Sequence, residues 1–226
     1  MDILVIGSKP NPVIPKKFNH IVYVNASIYI YPQIDLTLQS THFITKQCFV
    51  ETWNENKEHF KNKHINNLVL ILRNTSLLNE IIQKLNSVNY NYDNLLVLSS
   101  REKADITRNV VGKFFLYSTG ITKPDKFKKK VKNIKKLIQT EELGGYKPST
   151  GVFACLYCIK NYSNLKKLII AGIGLSEGVH AYNKKYIYPA SHNHFDRQIL
   201  KKISRKNNVC TTEEELHKLT NIKLCS

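Results

Sequence analysis

The feature that most constrains the fold is an alternation of short apolar runs with amphipathic segments of helical period. Asn, Ser, Gly or Pro bound each apolar run, as they bound buried strands. In chain order the runs are ILVI, NHIVYVNASIYI, STHFIT, NNLVLILRN, NLLVLSS, KKLIIAGIG and NNVCTT. Strands that alternate with helices indicate a sheet of parallel strands covered on both faces. We therefore predict an α/β fold, a Rossmann-like, mostly parallel sheet with helices on both faces.

The segments between these runs carry their apolar residues on one helical face. SLLNEIIQKLNSV shows this period most clearly, and FDRQILKKISRK and EEELHKLT are shorter examples. Thr211 or Thr212 is the predicted N-cap of the last helix. GVFACLYCIKNY is an apolar run of helical length, and Cys155 and Cys158 lie three residues apart in it. We predict that both cysteines pack in the core rather than bind a metal.

Composition indicates a folded, strongly basic chain. Hydrophobic residues make up 42% of the 226 residues, which is enough for a core and argues against wholesale disorder. This length suits a single domain spanning residues 1–226. The net charge of +17 attracts polyanions, namely nucleic acid, anionic lipid or a phosphorylated substrate. Charge alone does not choose among these three partners.

One segment concentrates the positive charge. Lys126–Lys136 contains seven lysines in eleven residues, inside a basic stretch around 123–146 that is the best candidate for an inserted or mobile segment. Two interpretations stay open, a solvated helix face and a surface for an anionic membrane. The segment lacks the interleaved aromatic residues of a single-strand stacking platform, which argues against nucleic acid as a partner.

Cysteine usage and the first residues bear on location. Five cysteines at irregular spacing do not form a disulfide framework, which favours a reducing compartment. MDILVIG lacks the basic lead and the long apolar core of a signal peptide, and no apolar stretch has the length of a membrane span. We expect a cytoplasmic protein that is peripheral to the inner face of the membrane.

Two loops carry residues suited to anion binding. Gly7 follows the first strand, where a glycine lets a ligand approach the backbone, but the surrounding VIGSKPNP is neither a dinucleotide fingerprint nor a P-loop. In KPSTG, Ser149 or Thr150 can cap a helix that begins near Gly151. A capped helix start presents free amides and a partial positive charge, which suit a phosphate or a carboxylate.

A third patch, SHNHFD, contains residues suited to acid–base chemistry. His192 and His194 can accept a proton near neutral pH, and Asp196 is placed to orient one of them. A metal site would need a third ligand, for which His180 is the nearby candidate. A pair of surface histidines without a chemical role is the alternative that the sequence leaves open.

Four segments, in their order along the chain, resemble the CMP-sialic-acid-dependent sialyltransferases of bacterial family 42 and, more distantly, of animal family 29. They are ILVIGSKP, KPSTGVFACLYCI, LKKLIIAGIGLSEGVHAYN and SHNHFDRQIL, and Asn25 in VYVNAS stands where the family has a donor-contacting asparagine. The resemblance covers both ends of the chain and omits the middle, from about Phe43 to Gly144. It implies a glycosyltransferase-A-type variant of the α/β fold.

The resemblance also implies a set of residue roles. Gly7, Ser8 and Asn25 would line the nucleotide pocket, and Gly172 belongs to the loop that matches the family after a later strand. Ser149, Thr150 and Gly151 would contact the donor at the helix start, and Tyr182 would donate a hydrogen bond to the departing phosphate. His192 would be the general base, with His194 as the alternative and Asp196 as the acidic partner.

The implied reaction moves a sugar acid from a CMP donor to a hydroxyl of a surface glycan or glycolipid. The single phosphate of CMP can be stabilised by neutral and cationic donors, so no metal and no other cofactor is expected. The sequence departs from the family in having Ser176 at the place of a second phosphate-binding tyrosine and only three residues between His192 and Asp196. A CMP-Kdo transferase, a nucleotide-binding regulator without catalysis and a basic nucleic-acid-binding module are the alternatives.

Overall fold

The structure is a computed structural model that describes residues 1–29, 38–45, 53–72, 75–116, 131, 148–175, 179–180, 183–187 and 193–225. The strands are β1 (Asp2–Ile6), β2 (His20–Val24), β3 (Gln39–Thr45), β4 (His64–Ile71), β5 (Asn91–Leu98), β6 (Lys167–Ala171), β7 (Val179–His180), β8 (Asn183–Ile187), β9 (Val209–Thr211) and β10 (Lys223–Leu224). The α-helices are α1 (Trp53–Phe60), α2 (Leu78–Asn86), α3 (Ser100–Val111), α4 (Thr150–Asn161), α5 (Asn193–Ile203) and α6 (Glu214–Thr220). Two short 3₁₀ helices span Asn25–Tyr29 and Thr75–Leu77.

Eight of these strands form one sheet in the order β10-β9-β6-β1-β2-β3-β4-β5. Every neighbouring pair in it is parallel. Strands β7 and β8 form a separate antiparallel pair. The chain moves outward from β1 to β5 and then returns to place β6 on the other side of β1. The neighbouring strands β1 and β6 therefore lie where the direction of winding reverses.

The central strands are buried on both faces, as their unbroken apolar runs predict. Ile3 and Val5 belong to a core cluster that also contains apolar residues of α3, α4, α5 and α6. Leu4 and Ile6 face the opposite side, where the cluster includes residues of α1 and α2. Burying each such side chain contributes about 1.5–3 kcal/mol, so the two clusters hold the helices against the sheet. The predicted α/β fold with helices on both faces is confirmed.

Most predicted elements are present, and the differences have local causes. The run NHIVYVNASIYI is a strand only up to Val24, because Asn25 adopts a left-handed φ of 52° and begins a 3₁₀ helix. The N-cap of α6 is Glu213, so the prediction of a threonine cap is wrong. Thr211 is still part of β9, and its hydroxyl donates to the carbonyl of Ile170 at 2.8 Å. Helices α1 and α3 were not predicted.

The cysteines divide into a buried pair and a bonded pair. Cys155 and Cys158 are fully buried free thiols, as predicted, and burial raises the pKa of each. Cys210 and Cys225 form a disulfide, which corrects the expectation of a chain without disulfides. The parallel pairing of β9 with β10 brings the two α-carbons within 5.2 Å, a proximity that a separation of 15 residues does not reveal.

The structure bears on two predictions about membranes, the lack of a membrane-spanning segment and the membrane-binding role of the lysine segment. Within the described ranges, no helix combines the length and apolar character that crossing a bilayer requires. Of the lysine segment Lys126–Lys136 the structure describes only Val131, which is 48% exposed. The rest of this segment lies outside the described residues, and its membrane role stays a prediction.

His42 of β3 is the centre of a buried polar network with Tyr90 and Asn25, and its titration tests this network. Its Nε2 donates to the carbonyl of Asn25, and its Nδ1 accepts from the hydroxyl of Tyr90 at 2.6 Å. Burial lowers the pKa of His42 from 6.5 to about 4, partly opposed by the bond to Asn25. As the pH falls, His42 therefore binds a proton near pH 6.5 in the unfolded chain but only near pH 4 in the folded chain.

We expect this difference to remove about 3 kcal/mol of the free energy of unfolding as the pH falls from 6.5 to about 4. His42→Gln should reduce that pH dependence, because glutamine does not titrate. The remaining slope should come from His20, whose pKa is also lowered to about 4 by burial. Tyr90→Phe, which keeps the histidine, should lower stability without removing the slope. Urea unfolding across this pH range measures both, and an unchanged slope in His42→Gln would contradict the assignment.

Candidate functional site

The candidate site lies at the carboxyl ends of β1 and β6. In open α/β sheets ligands bind in the crevice beyond the carboxyl ends of the strands, at the point where the strand order reverses. Gly7 and Ser8 follow β1 directly, and Gly172 follows β6. The structure therefore brings these predicted residues, far apart in sequence, to one edge of the sheet.

The two loops at this edge lie side by side with their backbones in contact, and we call this contact the crossing of the loops. The amide of Gly7 donates to the carbonyl of Ala171 at 2.8 Å, and the amide of Lys9 donates to the carbonyl of Gly172 at 2.9 Å. A Cβ built on Gly7 would stand 2.2 Å from the Gly172 oxygen, and Gly172 has a φ of +67°. Both positions thus require glycine. The side of Gly7 that a Cβ would occupy faces the chain itself rather than an open ligand pocket.

Helix α4 begins beside this crossing. Ser149, one of the two predicted candidates, is its N-cap, and the Ser149 hydroxyl accepts from the amide of Val152 at 3.4 Å. A Cβ on Gly151 would meet the side chain of Ile173 at 3.2 Å, so the first turn packs closely on the loop after β6. The apolar sequence that follows drives α4 across the buried face of the sheet. The first turn consequently presents the amides of Thr150 and Gly151 near the β1–β6 crevice.

Asp196 connects the third predicted patch to this helix start. The side chain is 2% exposed, and its Oδ1 accepts a hydrogen bond from the amide of Ser149 at 2.9 Å. The carboxyl group thus lies at the positive end of the α4 dipole and satisfies one of the amides that a helix start leaves unpaired. The first turn of α5 is held against the first turn of α4 as a result.

Of the two predicted histidines, the structure describes His194 but not His192. His194 is the second residue of α5 and is half-buried, two positions before Asp196. Residues two apart on an α-helix point in directions about 200° apart, so the helix separates a pair that looks adjacent in sequence. His192, the first choice of base, and Tyr182, the predicted phosphate ligand, both lie outside the described residues.

Asn25 stands at the end of β2, beside β1. Its Oδ1 accepts from both the amide and the hydroxyl of Thr45 at 3.2 Å, and its left-handed φ is one that asparagine tolerates. Ser27 donates to the carbonyl of Ile6 at 2.9 Å and so ties this turn to the end of β1. With its oxygen engaged, the group that Asn25 can offer a ligand is the Nδ2 amine.

Sequence reasoning missed two charged contributions to this edge. Glu213 is 8% exposed, and its Oε1 accepts from the amide of Gly172 at 2.6 Å. Burial raises its pKa, opposed by that bond and by Lys9, whose Nζ lies 4.0 Å from Oε2. Lys103 donates to the carbonyl of Pro148 at 3.0 Å, immediately before α4. The position of Glu213 after a predicted parallel strand was the available signal, because such positions lie at the carboxyl edge.

The described part of the chain contains no group of three or more His, Cys, Asp or Glu side chains arranged to hold a metal ion. What this part offers an anion is backbone amides, hydroxyls and lysines. That chemistry suits a phosphate or a carboxylate.

Replacing Gly7 tests the crossing of the two loops. We expect Gly7→Ala to lower the free energy of unfolding by at least about 2 kcal/mol, because the new methyl would overlap the Gly172 carbonyl. Gly112→Ala is the matched control, since it places a Cβ at a φ of +90° with nothing within 4 Å. The control should cost about 1–3 kcal/mol from backbone strain alone, because its φ of 90° and ψ of 143° lie in a region that is nearly exclusive to glycine. Urea unfolding measures both losses, and a loss below about 1 kcal/mol in Gly7→Ala would contradict the overlap with the Gly172 carbonyl.

Comparison with known proteins gives a likeness of structure rather than of sequence. No protein-family model matches the chain, and no curated protein matches it in sequence. A crystal structure of a variant of the sialyltransferase CST-II in complex with CMP superposes with a TM-score of 0.51 at 13% identity, covering 98% of this chain and 86% of that one. The sialyltransferase CstII from Campylobacter jejuni in complex with the substrate analogue CMP-3FNeuAc gives a TM-score of 0.48 at 13% identity, covering 100% and 85%.

The first of these likenesses is evidence about the fold. The chain has a sialyltransferase-like fold, the mostly parallel α/β arrangement of the glycosyltransferase-A type that the sequence predicts. At this identity it leaves substrate and residue roles to be argued from the site itself.

Proposed function

We propose that this protein is a metal-independent glycosyltransferase that uses a CMP-activated sugar acid, such as sialic acid, as its donor. The acceptor is a hydroxyl of a surface glycan or glycolipid. The observation that carries this proposal is the convergence of the Gly7–Gly172 crossing with the first turn of α4 at the switch point. The sialyltransferase-like fold supports the choice of CMP over other nucleotides.

The donor would lie across the β1–β6 crevice. Gly7, Ser8 and the Nδ2 amine of Asn25 would line the nucleotide pocket. The amides of Thr150 and Gly151 would hold the single phosphate at the positive end of α4. Because Asp196 already accepts from Ser149, its role would be to fix this helix start relative to α5.

The chemical step needs one base and one stabilised leaving group. The acceptor oxygen forms a bond to the anomeric carbon of the sugar acid, and the bond from that carbon to the phosphate oxygen breaks. The electron pair of the broken bond leaves on the phosphate of CMP, where amides and the hydroxyl of Tyr182 would stabilise it. The acceptor proton passes to an imidazole, for which His192 and His194 are the candidates.

Location and partners complete the proposal. The lysine segment Lys126–Lys136 would hold the enzyme at the anionic inner face of the membrane, near a lipid-linked acceptor. A cytoplasmic location stays a prediction, and the Cys210–Cys225 disulfide does not favour it. Nucleic acid is the less favoured partner. A CMP-Kdo donor remains the alternative within the same class of reaction.

Nucleotide selectivity tests the donor class. Thermal-shift and calorimetric titrations with CMP, CDP, UMP, UDP and GDP, in the presence of a chelator, should show selective stabilisation by CMP. CMP-sialic acid and CMP-Kdo then separate the two sugar acids by the release of CMP. Preference for a uridine or guanosine diphosphate would contradict the proposal, and steeply salt-dependent binding of DNA without CMP binding would favour the nucleic-acid alternative.

Replacing each histidine tests the base. His192→Ala or His194→Ala should lower the rate of transfer by about 10²–10⁴-fold, the usual contribution of a general base. CMP affinity should change by less than about twofold, because the base faces the acceptor rather than the nucleotide. Full activity in both variants would remove histidine from the mechanism, and CMP binding without any transfer in the unaltered protein would favour a regulator.

A further inference from the structure

A second concave site lies on the α4 side of the sheet, away from the β1–β6 crevice. It has a volume of about 260 Å³ and is bounded by the middle of β3, β4 and β5 and by the end of α4. Its polar lining consists of Thr41, Asn67, Asn94, Tyr157, Asn161 and Tyr162. Tyr157 is seven residues along α4 from Thr150, so the groove begins about 10 Å from the helix start.

The groove is uncharged in a chain of high charge. The protein contains 34 lysines and arginines, yet none of the residues that line the groove is basic or acidic. A phosphate or carboxylate ligand would lose its hydration there without gaining a counter-charge. The lining therefore selects against the anions that the rest of the surface attracts and favours a neutral ligand.

The amide side chains at the rim are held in defined orientations. The Nδ2 of Asn94 donates to the Oδ1 of Asn67 at 3.3 Å, and the Nδ2 of Asn161 donates to the carbonyl of Tyr157 at 3.0 Å. With these amines engaged, the amide oxygens of Asn94 and Asn161 are the acceptors at the rim. Such oxygens accept hydrogen bonds from the hydroxyls of a ligand.

The floor of the groove is a buried hydrogen-bonded network. Thr41 is 1% exposed, and its hydroxyl lies 2.9 Å from Nε2 of His20 and 3.2 Å from the hydroxyl of Tyr162. The rings of Tyr157 and Tyr162 pack edge to face with centroids 6.5 Å apart. A floor fixed in this way binds without first paying the entropy of ordering its side chains.

We infer that this groove binds a neutral saccharide. Fixed amide oxygens match the hydroxyls of a sugar, and tyrosine rings match the apolar faces of its C–H groups. Binding itself is independent of the nucleotide site. We further assign the groove to a neighbouring sugar unit of the acceptor, because it begins about 10 Å from the start of α4. This assignment rests on the proposed function.

The groove adjoins the outermost strand, which defines the competing explanation. In the described sheet β5 is an edge strand, and Leu95 and Leu96 on it are 38% and 39% exposed. A second copy of the chain could pair with this edge through its backbone. That occupant would use the amides and carbonyls of β5 that no strand of the described sheet pairs with, and it has no need of the amide and tyrosine groups in the groove.

Two variants of one strand separate these explanations. Asn94→Arg fills the groove with a long, charged side chain, whereas Asn91→Arg adds the same charge to an exposed position of β5 that does not line it. Lactose, N-acetyllactosamine and maltotriose serve as neutral probes in calorimetric and ligand-observed NMR titrations. We expect Asn94→Arg to weaken binding of the preferred probe at least about tenfold and Asn91→Arg to weaken it less than about twofold.

A second variant within the groove, Asn161→Ala, guards against misfolding of Asn94→Arg. Asn161 is exposed at the end of α4, so Asn161→Ala should fold normally and still weaken the saccharide measurably. Urea unfolding of each variant verifies the fold. No saturable binding of any probe to the unaltered protein, or equal effects of Asn94→Arg and Asn91→Arg, would overturn the inference.

Titration of CMP with the same samples keeps the two proposals distinguishable. CMP binding without saccharide binding overturns only the groove, and saccharide binding without CMP binding overturns only the proposed function. A change from dimer to monomer in Asn94→Arg, without any saccharide binding, would assign the groove to a second copy instead.

Discussion

The arrangement of the candidate site depends on one backbone contact, the crossing of the loops that follow β1 and β6. Gly172 is bonded through both of its peptide groups, with its carbonyl accepting from Lys9 and its amide donating to Glu213. One residue thus joins the loops after β1, β6 and β9. Only glycine on both sides allows this approach, because a single methyl at Gly7 would overlap the Gly172 oxygen. Interiors packed at crystal density cannot absorb such an overlap cheaply.

This contact places the first turn of α4, and an internal carboxyl group completes it. Gly151 packs on Ile173 in the loop after β6, and Asp196 accepts from the Ser149 amide. A helix start that is partly satisfied from within is held in a fixed position before any ligand arrives. The following amides can then stabilise a charge that develops on a phosphate without first being reorganised, which is how preorganised dipoles contribute most to catalysis.

Helix α4 also relates the two sites that we assign to different ligands. Its first turn faces an edge that offers the amides of Thr150 and Gly151 to an anion, beside the carboxyl groups of Asp196 and Glu213. Its end contributes Tyr157 and Asn161 to a groove without charged residues. A transferase that joins a charged sugar to a neutral glycan needs both environments at a fixed separation. A single rigid helix packed on the sheet supplies that separation, because its rise per residue is constant.

The sequence by itself determined the local structure and the class of fold. Apolar runs bounded by turn residues specified the main strands, and the period of SLLNEIIQKLNSV specified α2. The cap of α4 was narrowed to Ser149 or Thr150, because all of these features depend on neighbours within a few positions. The segments whose sequence resembles sialyltransferases also contain Gly7, Ser149 and Gly172, which the structure brings to one edge of the sheet.

Only the tertiary structure decided which of these residues meet. It bonds Asp196 to Ser149 across 47 positions and Glu213 to Gly172 across 41, and it joins Cys210 to Cys225. It also turns His194 and Asp196, two apart in sequence, onto different sides of α5. The reason is physical: the order and register of parallel strands set these distances, and hydrophobic periodicity records that a strand is buried but not which strand lies beside it.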